Sequence, residues 1–278
     1  MMTISRSPLR YMGSKANLAK EIIARMPAHK IYIEPFGGGA SVLLRKDRVY
    51  REVYNDLNDD ITNFFQQLRD NTRGLVRAVQ LTPFSRAELK RAWAYAGDDP
   101  LQRALVTYIK AWQAWGSGTG RDQSGWRFQV TSRRAAIRDW NNTKPLFEVA
   151  HRLKGVHIEN DHAIKVLKRY DSPQSLFYCD PPYVLSERMK DAYRKGYKFE
   201  MSDDDHVELA ETIKRLQGMV ILSGYPSALY DQLYAGWQRV TFTGRATNLK
   251  RTTEVLWLSP NCNTDIPKQQ LLFALESK

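Results

Sequence analysis

The most specific chemical signal in the sequence is an acid followed by two prolines and an aromatic residue, namely Asp180, Pro181, Pro182 and Tyr183. The prolines end the apolar run at residues 176–179, and because each ring fixes φ the turn is rigid. Proline carries no N–H, so the backbone there offers only acceptors, and Asp180 adds a carboxylate. Two acceptors beside a flat ring suit the exocyclic amino group of a planar base, with Tyr183 stacking on that base. The alternative is a proline-rich turn with Asp180 as a cap, and the place after a buried strand favours the acceptor site.

A second candidate site is a glycine-rich turn between a predicted strand and a predicted helix, with the sequence Glu34, Pro35, Phe36, Gly37, Gly38, Gly39, Ala40. Glycines let the backbone pass close to a bound nucleoside, and a carboxylate at the strand end holds an amino group or a hydroxyl. The spacing is not the dinucleotide fingerprint, so a purely structural turn is an alternative. The next predicted strand ends in Asn55 and Asp56, where doubly wound folds hold a ribose. A helix cap for Leu57 onward is the other interpretation of Asp56.

Near the N-terminus, Tyr11 and Lys15 place an aromatic ring and a cation within one short segment. This signal is weak alone, since Ser14 capping a helix from Ala16 explains the segment equally well.

Composition limits the class of protein. Lys and Arg total 42 against 30 Asp and Glu, which gives a net charge of +12 and favours a polyanionic partner, although a solvated basic surface is the alternative. An aromatic share of 11% argues against disorder. The two cysteines, Cys179 and Cys262, are too few for a disulfide framework or a four-cysteine zinc site. Without zinc or P-loop spacing, an apolar signal core or a bilayer-length apolar run, we expect a cytoplasmic protein that uses no metal and no membrane.

These motifs need a scaffold that brings strand ends together. Short apolar runs predict strands at residues 30–34, 52–56, 156–159, 176–179, 219–222 and 254–258. Helices are predicted between them, at residues 40–44, 206–216 and 226–234, the second with Ser202 as N-cap and Asp205 completing a capping box. The alternation indicates an α/β fold whose mostly parallel sheet is flanked by helices.

The middle of the chain has a different pattern. Helical spacing occurs at residues 61–68, 87–95 and 101–115, followed by a glycine-rich stretch at 116–125 and strand-like alternation at 126–130. We interpret this region as a mainly helical insert that carries a β-hairpin.

Taken in order, the motifs resemble the Dam-type DNA adenine N6-methyltransferases, alpha-group amino-methyltransferases of bacteria and phages. The residues that carry the resemblance are Tyr11, Gly13, Lys15, Glu34, Pro35, Phe36, Gly37, Gly39, Asn55, Asp56 and Asp180 through Tyr183. They span essentially the whole chain. The resemblance implies a Rossmann-like class I methyltransferase fold, with a catalytic domain of residues 1–60 and 153–278. It assigns residues 61–152 to a target-recognition insert that binds DNA.

The resemblance also implies S-adenosyl-L-methionine as cofactor and a flipped-out adenine of double-stranded DNA as substrate. The implied cofactor-binding residues are Tyr11 and Lys15 against the cofactor, Glu34, Pro35, Phe36, Gly37 and Gly39 at its methionine end, Asp56 at the ribose, and Asp161 near its adenine. Asn160 is the alternative to Asp161. Asp180 and the Pro181 carbonyl then bind the target amine, and Tyr183 stacks on the base. Residues 185–199 are interpreted as a loop that closes on the flipped base.

Basic and amide side chains supply the expected DNA contacts. In and beside the proposed hairpin these are Arg121, Arg127, Gln129, Arg133 and Arg134, as base readers or phosphate contacts. Lys250 and Arg251 are predicted phosphate contacts near the active site. Residues 120–126 depart from the asparagine-aromatic cluster of the family's hairpin, so no recognition sequence is transferred. Three alternatives stay open, which are transfer to cytosine N4, transfer to RNA adenine, and a DNA-binding relative without activity. A partner endonuclease, a regulatory role and phage protection are equally open.

Overall fold

A seven-stranded mixed sheet forms the centre of the computed structural model, which describes residues 4, 6–118, 120, 123–128, 136–188, 196–245 and 251–263. The strands are β1 (Ile31–Glu34), β2 (Arg51–Asn55), β3 (Val156–Glu159), β4 (Ser175–Cys179), β5 (Met219–Gly224), β6 (Gln238–Arg245) and β7 (Arg251–Leu258). Their order is β3-β2-β1-β4-β5-β7-β6. Strands β1 to β5 pair in parallel, and β7 runs antiparallel to β5 and β6. The predicted α/β fold with a mostly parallel sheet is confirmed.

One described helix precedes the first strand of this sheet, and the others lie in the connections between later strands. They are α1 (Ala19–Ile23), α2 (Asp59–Asp70), α3 (Thr72–Leu81), α4 (Arg86–Ala94), α5 (Pro100–Gln113), α6 (Ala136–Asn141), α7 (Lys144–Leu153), α8 (Ala163–Arg169), α9 (Leu185–Arg188), α10 (Asp203–Lys214) and α11 (Ala228–Leu233). The capping box at the start of α10 is present as predicted, with Ser202 and Asp205 exchanging hydrogen bonds. Within the described residues, no helix combines the length and the apolar character that a membrane span requires.

Both faces of the central strands are buried, and this explains why their sequences are almost continuously apolar. In β4 alternate side chains belong to two cores, with Leu176 and Tyr178 in one and Phe177 and Cys179 in the other. The first core continues into the insert through Phe64 of α2. The predicted boundary of a separate unit at residues 61–152 therefore remains a prediction, since the apolar core runs across it.

The sequence prediction was wrong for residues 40–44, which form successive turns rather than a helix. The helical hydrogen bond from the Leu43 N–H to the Gly39 carbonyl is missing because both groups have other partners. The Leu43 N–H donates to Glu34 Oε1 at 2.6 Å, and the Gly39 carbonyl accepts from the Ser7 hydroxyl at 2.7 Å. Tertiary hydrogen bonds that support the glycine turn thus replace the helix.

Strand β6 was not predicted because it lies at the sheet edge and shows no apolar run. Of its described side chains only Val240 and Phe242 pack against the core, and the others are exposed.

The predicted hairpin is present only at its base within the described residues. Ala114 and Trp126 form an isolated antiparallel bridge, flanked by hydrogen bonds from the Trp115 N–H to the Gly125 carbonyl (2.8 Å) and from the Arg127 N–H to the Gln113 carbonyl (2.7 Å). The strand-like pattern at residues 126–130 forms no strand as far as residue 128, and residues 129 and 130 lie outside the description.

The topology brings the predicted functional segments to one edge of the sheet. Strand β1 lies between β2 and β4, so the chain order reverses at that point. In parallel sheets ligands bind beyond the carboxyl ends of the strands at such a reversal. The ends of β1, β2 and β4 carry Glu34, Asn55 and Cys179, directly beside the predicted site residues.

Candidate active site

One cleft of about 190 Å³ opens beyond the carboxyl ends of β1, β2 and β4. Most of the predicted catalytic and cofactor-binding residues line this cleft, namely Tyr11, Lys15, Glu34, Pro35, Phe36, Gly37, Gly39, Asp56, Asp180 and Pro182. The glycine turn and the acid-proline turn therefore face a shared space, which is the geometric condition on which the predicted chemistry depends.

Glu34 is a buried carboxylate at the end of β1, with 2% of its surface exposed. Its Oε1 accepts hydrogen bonds from the Tyr32 hydroxyl at 2.7 Å and from the Leu43 N–H at 2.6 Å. Burial raises the pKa of Glu34 to about 7, against the lowering effect of these two hydrogen bonds. Because both described hydrogen bonds fall on Oε1, Oε2 can bind a cation in the cleft.

The glycine turn requires glycine because aromatic rings lie directly against it. A Cβ at Gly37 would overlap the ring of Tyr54, and one at Gly38, where φ is +46°, would come within 2.8 Å of the Tyr11 ring. The Tyr54 hydroxyl also donates to the Gly38 carbonyl at 2.7 Å. The turn is thus held between two rings, and Tyr11 forms part of the cleft wall.

Asp56 ties the end of β2 to the same turn. Its Oδ2 accepts from the Gly38 N–H and its Oδ1 from the Asn58 N–H, both at 2.8 Å. Burial raises the pKa of Asp56, and these two hydrogen bonds act against that shift. The alternative role as helix cap is not observed, because Asn58 is the N-cap of α2. Each oxygen keeps a second lone pair for a hydroxyl group.

A charged network surrounds Asp180. The ammonium of Lys15 lies 3.0 Å from Asp180 Oδ2 and 3.9 Å from Glu254 Oε2, and the Ser223 hydroxyl donates to Asp180 Oδ1 at 2.7 Å. Burial alone would lower the pKa of Lys15, but the two carboxylates outweigh it and hold the pKa above its ordinary value. Lys15 is therefore a fixed cation that anchors the Asp180 carboxylate. The capping alternative for Ser14 is not observed, since Leu18 is the N-cap of α1.

Tyr183 and Pro181 are buried behind the cleft instead of lining it. The Tyr183 hydroxyl donates to Glu254 Oε2 at 2.7 Å, and the Lys15 ammonium lies 4.7 Å from the centre of its ring. The ring also meets Tyr225 edge to face at 4.5 Å. Stacking of Tyr183 on a target base remains a prediction, and one face of the ring is already occupied by a cation.

Asp161 does not reach the cleft wall. Its carboxylate pairs with Arg169 at 2.9 Å and with Lys165 at 3.3 Å. The following residues, His162 and Ile164, line the cleft in its place. The alternative residue, Asn160, donates its side-chain amide to the Asp56 carbonyl at 2.8 Å. The predicted loop borders the cleft, but the side chains of Asp161 and Asn160 have local partners, and a contact of either with the cofactor stays a prediction.

Sequence reasoning missed Glu254 and Ser223 as members of this site. Glu254 was treated only as a strand position, and the strand predicted at residues 219–222 ended just before Ser223. Strands β5 and β7 carry these two residues to the Asp180 turn. A polar residue within an otherwise buried strand was the available signal, since such residues need a partner.

The described part of the predicted closing loop lies at the cleft. Tyr197 and Phe199 line it, and the neighbouring Lys198 pairs with Asp60 at 3.1 Å. Helix α9 covers the start of the predicted loop, and residues 189–195 lie outside the description.

Most predicted DNA contacts lie outside the described residues, namely Arg121, Gln129, Arg133, Arg134 and Lys250. Arg251 begins β7, but its side chain is not described. Arg127 is described at the base of the hairpin, with Nη2 3.5 Å from Asp139 Oδ2. DNA binding by these residues stays a prediction.

Comparison with known proteins agrees with this fold and with the order of the motifs. The sequence model of the D12 class N6 adenine-specific DNA methyltransferases matches residues 11–247. The type II methyltransferase M.MjaIII of Methanocaldococcus jannaschii is 22% identical over 255 residues, 82% of this chain and 88% of the relative. The DNA adenine methylase of Vibrio cholerae is 24% identical over 247 residues, 85% of this chain and 87% of the relative.

The DNA adenine methylase of Haemophilus influenzae is 25% identical over 240 residues, 82% of each chain. Identity to these relatives is low, but the family match covers most of the sequence, including both turns of the cleft. The chain belongs to the D12 class N6 adenine-specific DNA methyltransferases.

Proposed function

We propose that this adenine-specific DNA methyltransferase uses S-adenosyl-L-methionine to methylate N6 of an adenine flipped out of double-stranded DNA at a specific sequence. The observation that carries the proposal is the shared cleft. Its walls join a carboxylate-bearing glycine turn, suited to a nucleoside with a cationic amino group, to the acceptor carboxylate of Asp180.

The cleft residues fit the cofactor's chemistry. Glu34 presents an oxygen to the amino group of the methionine portion, and Asp56 keeps lone pairs for the ribose hydroxyls. The ring of Tyr11 provides a flat apolar wall beside the glycine turn. When bound, S-adenosyl-L-methionine would supply an electrophilic methyl group on a sulfonium, and breaking the S–C bond would release neutral S-adenosyl-L-homocysteine as the leaving group.

Asp180 positions the target amine. Its carboxylate would accept a hydrogen bond from the exocyclic N–H₂ of the adenine and so fix the orientation of the nitrogen lone pair. Lys15 and Ser223 hold the carboxylate in place, so little reorganisation accompanies the reaction. After transfer the nitrogen is acidic and loses a proton to Asp180 or to water. Positioning and electrostatics then supply most of the rate.

The nature of the product tests this proposal. The protein is incubated with methyl-labelled S-adenosyl-L-methionine and a mixture of duplex DNA and RNA, and the nucleosides are then separated. We expect the label on N6-methyladenine from duplex DNA. Label on cytosine, or only on RNA, would overturn the proposed substrate, and binding without transfer would indicate an inactive relative.

The newly identified Glu254 gives a further prediction. Glu254→Gln removes one of the two negative charges near Lys15 but keeps an acceptor for the Tyr183 hydroxyl. Lys15 then pairs with Asp180 alone. The Asp180 carboxylate is therefore less available to accept a hydrogen bond from the substrate amine. We expect kcat to fall about tenfold, equivalent to ~1.4 kcal/mol in the barrier, with cofactor affinity almost unchanged.

Steady-state kinetics and calorimetric titration with the cofactor measure the two effects separately. The matched control is Glu211→Gln, which neutralises an exposed acid on α10 that pairs with Arg215. Equal kcat values for the two variants would exclude a role for Glu254 in positioning Asp180.

A further inference from the structure

Three arginines meet where the N-terminal segment contacts the insert. Arg6 Nη1 lies 3.8 Å from Asp139 Oδ1, and Arg127 Nη2 lies 3.5 Å from Asp139 Oδ2. Arg10 belongs to the same cluster, because the charges of Arg127, Asp139 and Arg6 all act on it. We call Arg6, Arg10 and Arg127 the arginine cluster. Asp139 is its only carboxylate within hydrogen-bonding or ion-pair range among the described residues, and both contacts are long.

Among the described residues, the cluster carries more positive charge than neighbouring carboxylates compensate. Each arginine has one buried terminal nitrogen without a hydrogen-bond partner among the described residues, namely Arg6 Nη2, Arg10 Nη1 and Arg127 Nη1. Burial and then the charge of Arg127 lower the pKa of Arg10 to about 10. Guanidinium groups so placed stay charged at neutral pH, and leaving them unpaired costs free energy. A bound anion would give these nitrogens hydrogen-bond acceptors and would offset the excess positive charge.

The position of the cluster links the insert to the cleft. Arg6 stacks on Trp112 of α5 at 3.6 Å, and the Trp112 indole N–H donates to the Pro8 carbonyl at 2.8 Å. The chain then continues to Tyr11, whose ring lies against the glycine turn. Arg10 precedes Lys15 by five residues, a span of at most about 18 Å.

We propose that the arginine cluster binds a backbone phosphate of the DNA substrate beside the flipped adenine. The inference rests on the proposed function, since it names where that DNA is held. A phosphodiester offers two non-bridging oxygens that share one negative charge and carry several lone pairs, which match guanidinium donors arriving from more than one direction. A single base edge offers one planar pair of acceptors and leaves at least one arginine unpaired. A phosphate held here couples the DNA to the insert through Trp112 and to the cofactor turn through Tyr11.

The salt dependence of DNA affinity tests this site. Binding of the full-length protein to a duplex of unrelated sequence is measured by fluorescence anisotropy over a series of salt concentrations. Arg10→Gln is expected to reduce the slope of log K against log salt by about one unit, because one phosphate contact is lost. The ratio of wild-type to variant affinity then falls about fourfold between ~50 and ~200 mM salt.

The matched control is Arg215→Gln, which removes an exposed charge immediately after α10. That position precedes β5 and lies at the amino end of the sheet, opposite the cleft, so we expect the wild-type slope. The melting temperature of the free protein separates binding from structure. Arg10→Gln should leave the melting temperature unchanged or raise it, because the variant lacks a cation that the other two arginines repel.

Each outcome has one meaning. No DNA binding by the wild type contradicts the proposed function itself. Binding by the wild type with equal slopes for Arg10→Gln and wild type overturns the phosphate site alone. A lower melting temperature with an unchanged slope shows a purely structural role.

Discussion

Replacing Asp180 with Asn is expected to lower kcat by about a thousandfold, while binding of S-adenosyl-L-methionine stays close to wild type. The amide is isosteric, but it brings an N–H₂ donor to a place where the substrate also presents an amine. It also removes the negative charge that Lys15 and Ser223 hold in position at 3.0 and 2.7 Å. Since the proposed function assigns Asp180 to the target amine and Glu34 to the cofactor, the loss should fall on catalysis and not on cofactor affinity.

Stability has to be measured alongside this variant. Removing one partner of a buried ion pair costs about 3–5 kcal/mol when the remaining charge is left alone. Here Glu254 still lies 3.9 Å from the Lys15 ammonium, so we expect a smaller loss. Asp180→Glu serves as the second variant, because it keeps the charge and displaces it by one methylene. Substantial methylation by a folded Asp180→Asn protein would contradict the assigned role.

Replacing Glu34 with Gln is expected to weaken cofactor binding by one to two orders of magnitude and to remove its pH dependence. In the wild type the pKa of Glu34 is about 7, so the free carboxyl is largely protonated at slightly acidic pH. A cationic ligand needs the ionised form, and binding therefore releases a proton. Affinity should rise roughly tenfold between about pH 6 and about pH 7.5 as this carboxyl ionises. Loss of the charged contact, worth about 1.5–3 kcal/mol, sets the size of the defect in the variant.

Ionisation of Glu34 has the opposite effect on the stability of the free protein: it lowers stability, whereas it raises cofactor affinity. A carboxyl whose pKa is raised by folding stabilises the native state below its unfolded pKa, and that contribution is lost as the pH rises through about 7. The free protein thus becomes less stable over the range in which it gains cofactor affinity. Calorimetric titrations of both proteins across this range measure the affinities. Equal pH dependence in wild type and Glu34→Gln would show that another group, such as Asp56, controls the ionisation.

The sequence predicted the central strands well because their apolar character reflects burial on two faces. Residues 176–179, predicted as a strand, are Leu176–Cys179 of β4, and every side chain there is buried. The two turns could also be predicted, because glycine and proline mark turns in the local sequence. Their placement in one site came from the resemblance to the Dam-type family, because the strand pattern itself predicted no strand order.

Features set by distant partners could not be predicted in the same way. The helix predicted at residues 40–44 is interrupted by Glu34 and Ser7, which compete for its backbone groups. Glu254 joins the site through a pairing of β7 with β5 that no local pattern indicates. The roles of Asp161 and Tyr183 depended on side-chain partners, and the structure directs both away from the cleft wall.

The arginine cluster shows the same limit. Arg127 was predicted as one of several interchangeable basic residues of the hairpin, whereas Arg6 and Arg10 carried no signal in the sequence. The contacts of Arg6 with Asp139 and Trp112 join parts of the chain more than 100 residues apart. The composition shows that cationic residues are in excess, but it does not show where in the structure they cluster.

A crystal structure with S-adenosylhomocysteine bound tests the central claim most directly. We predict that the homocysteine amino group contacts Glu34, that the ribose hydroxyls contact Asp56, and that the sulfur faces the Asp180 turn. Electron density for the ligand anywhere other than between these two turns would contradict the account.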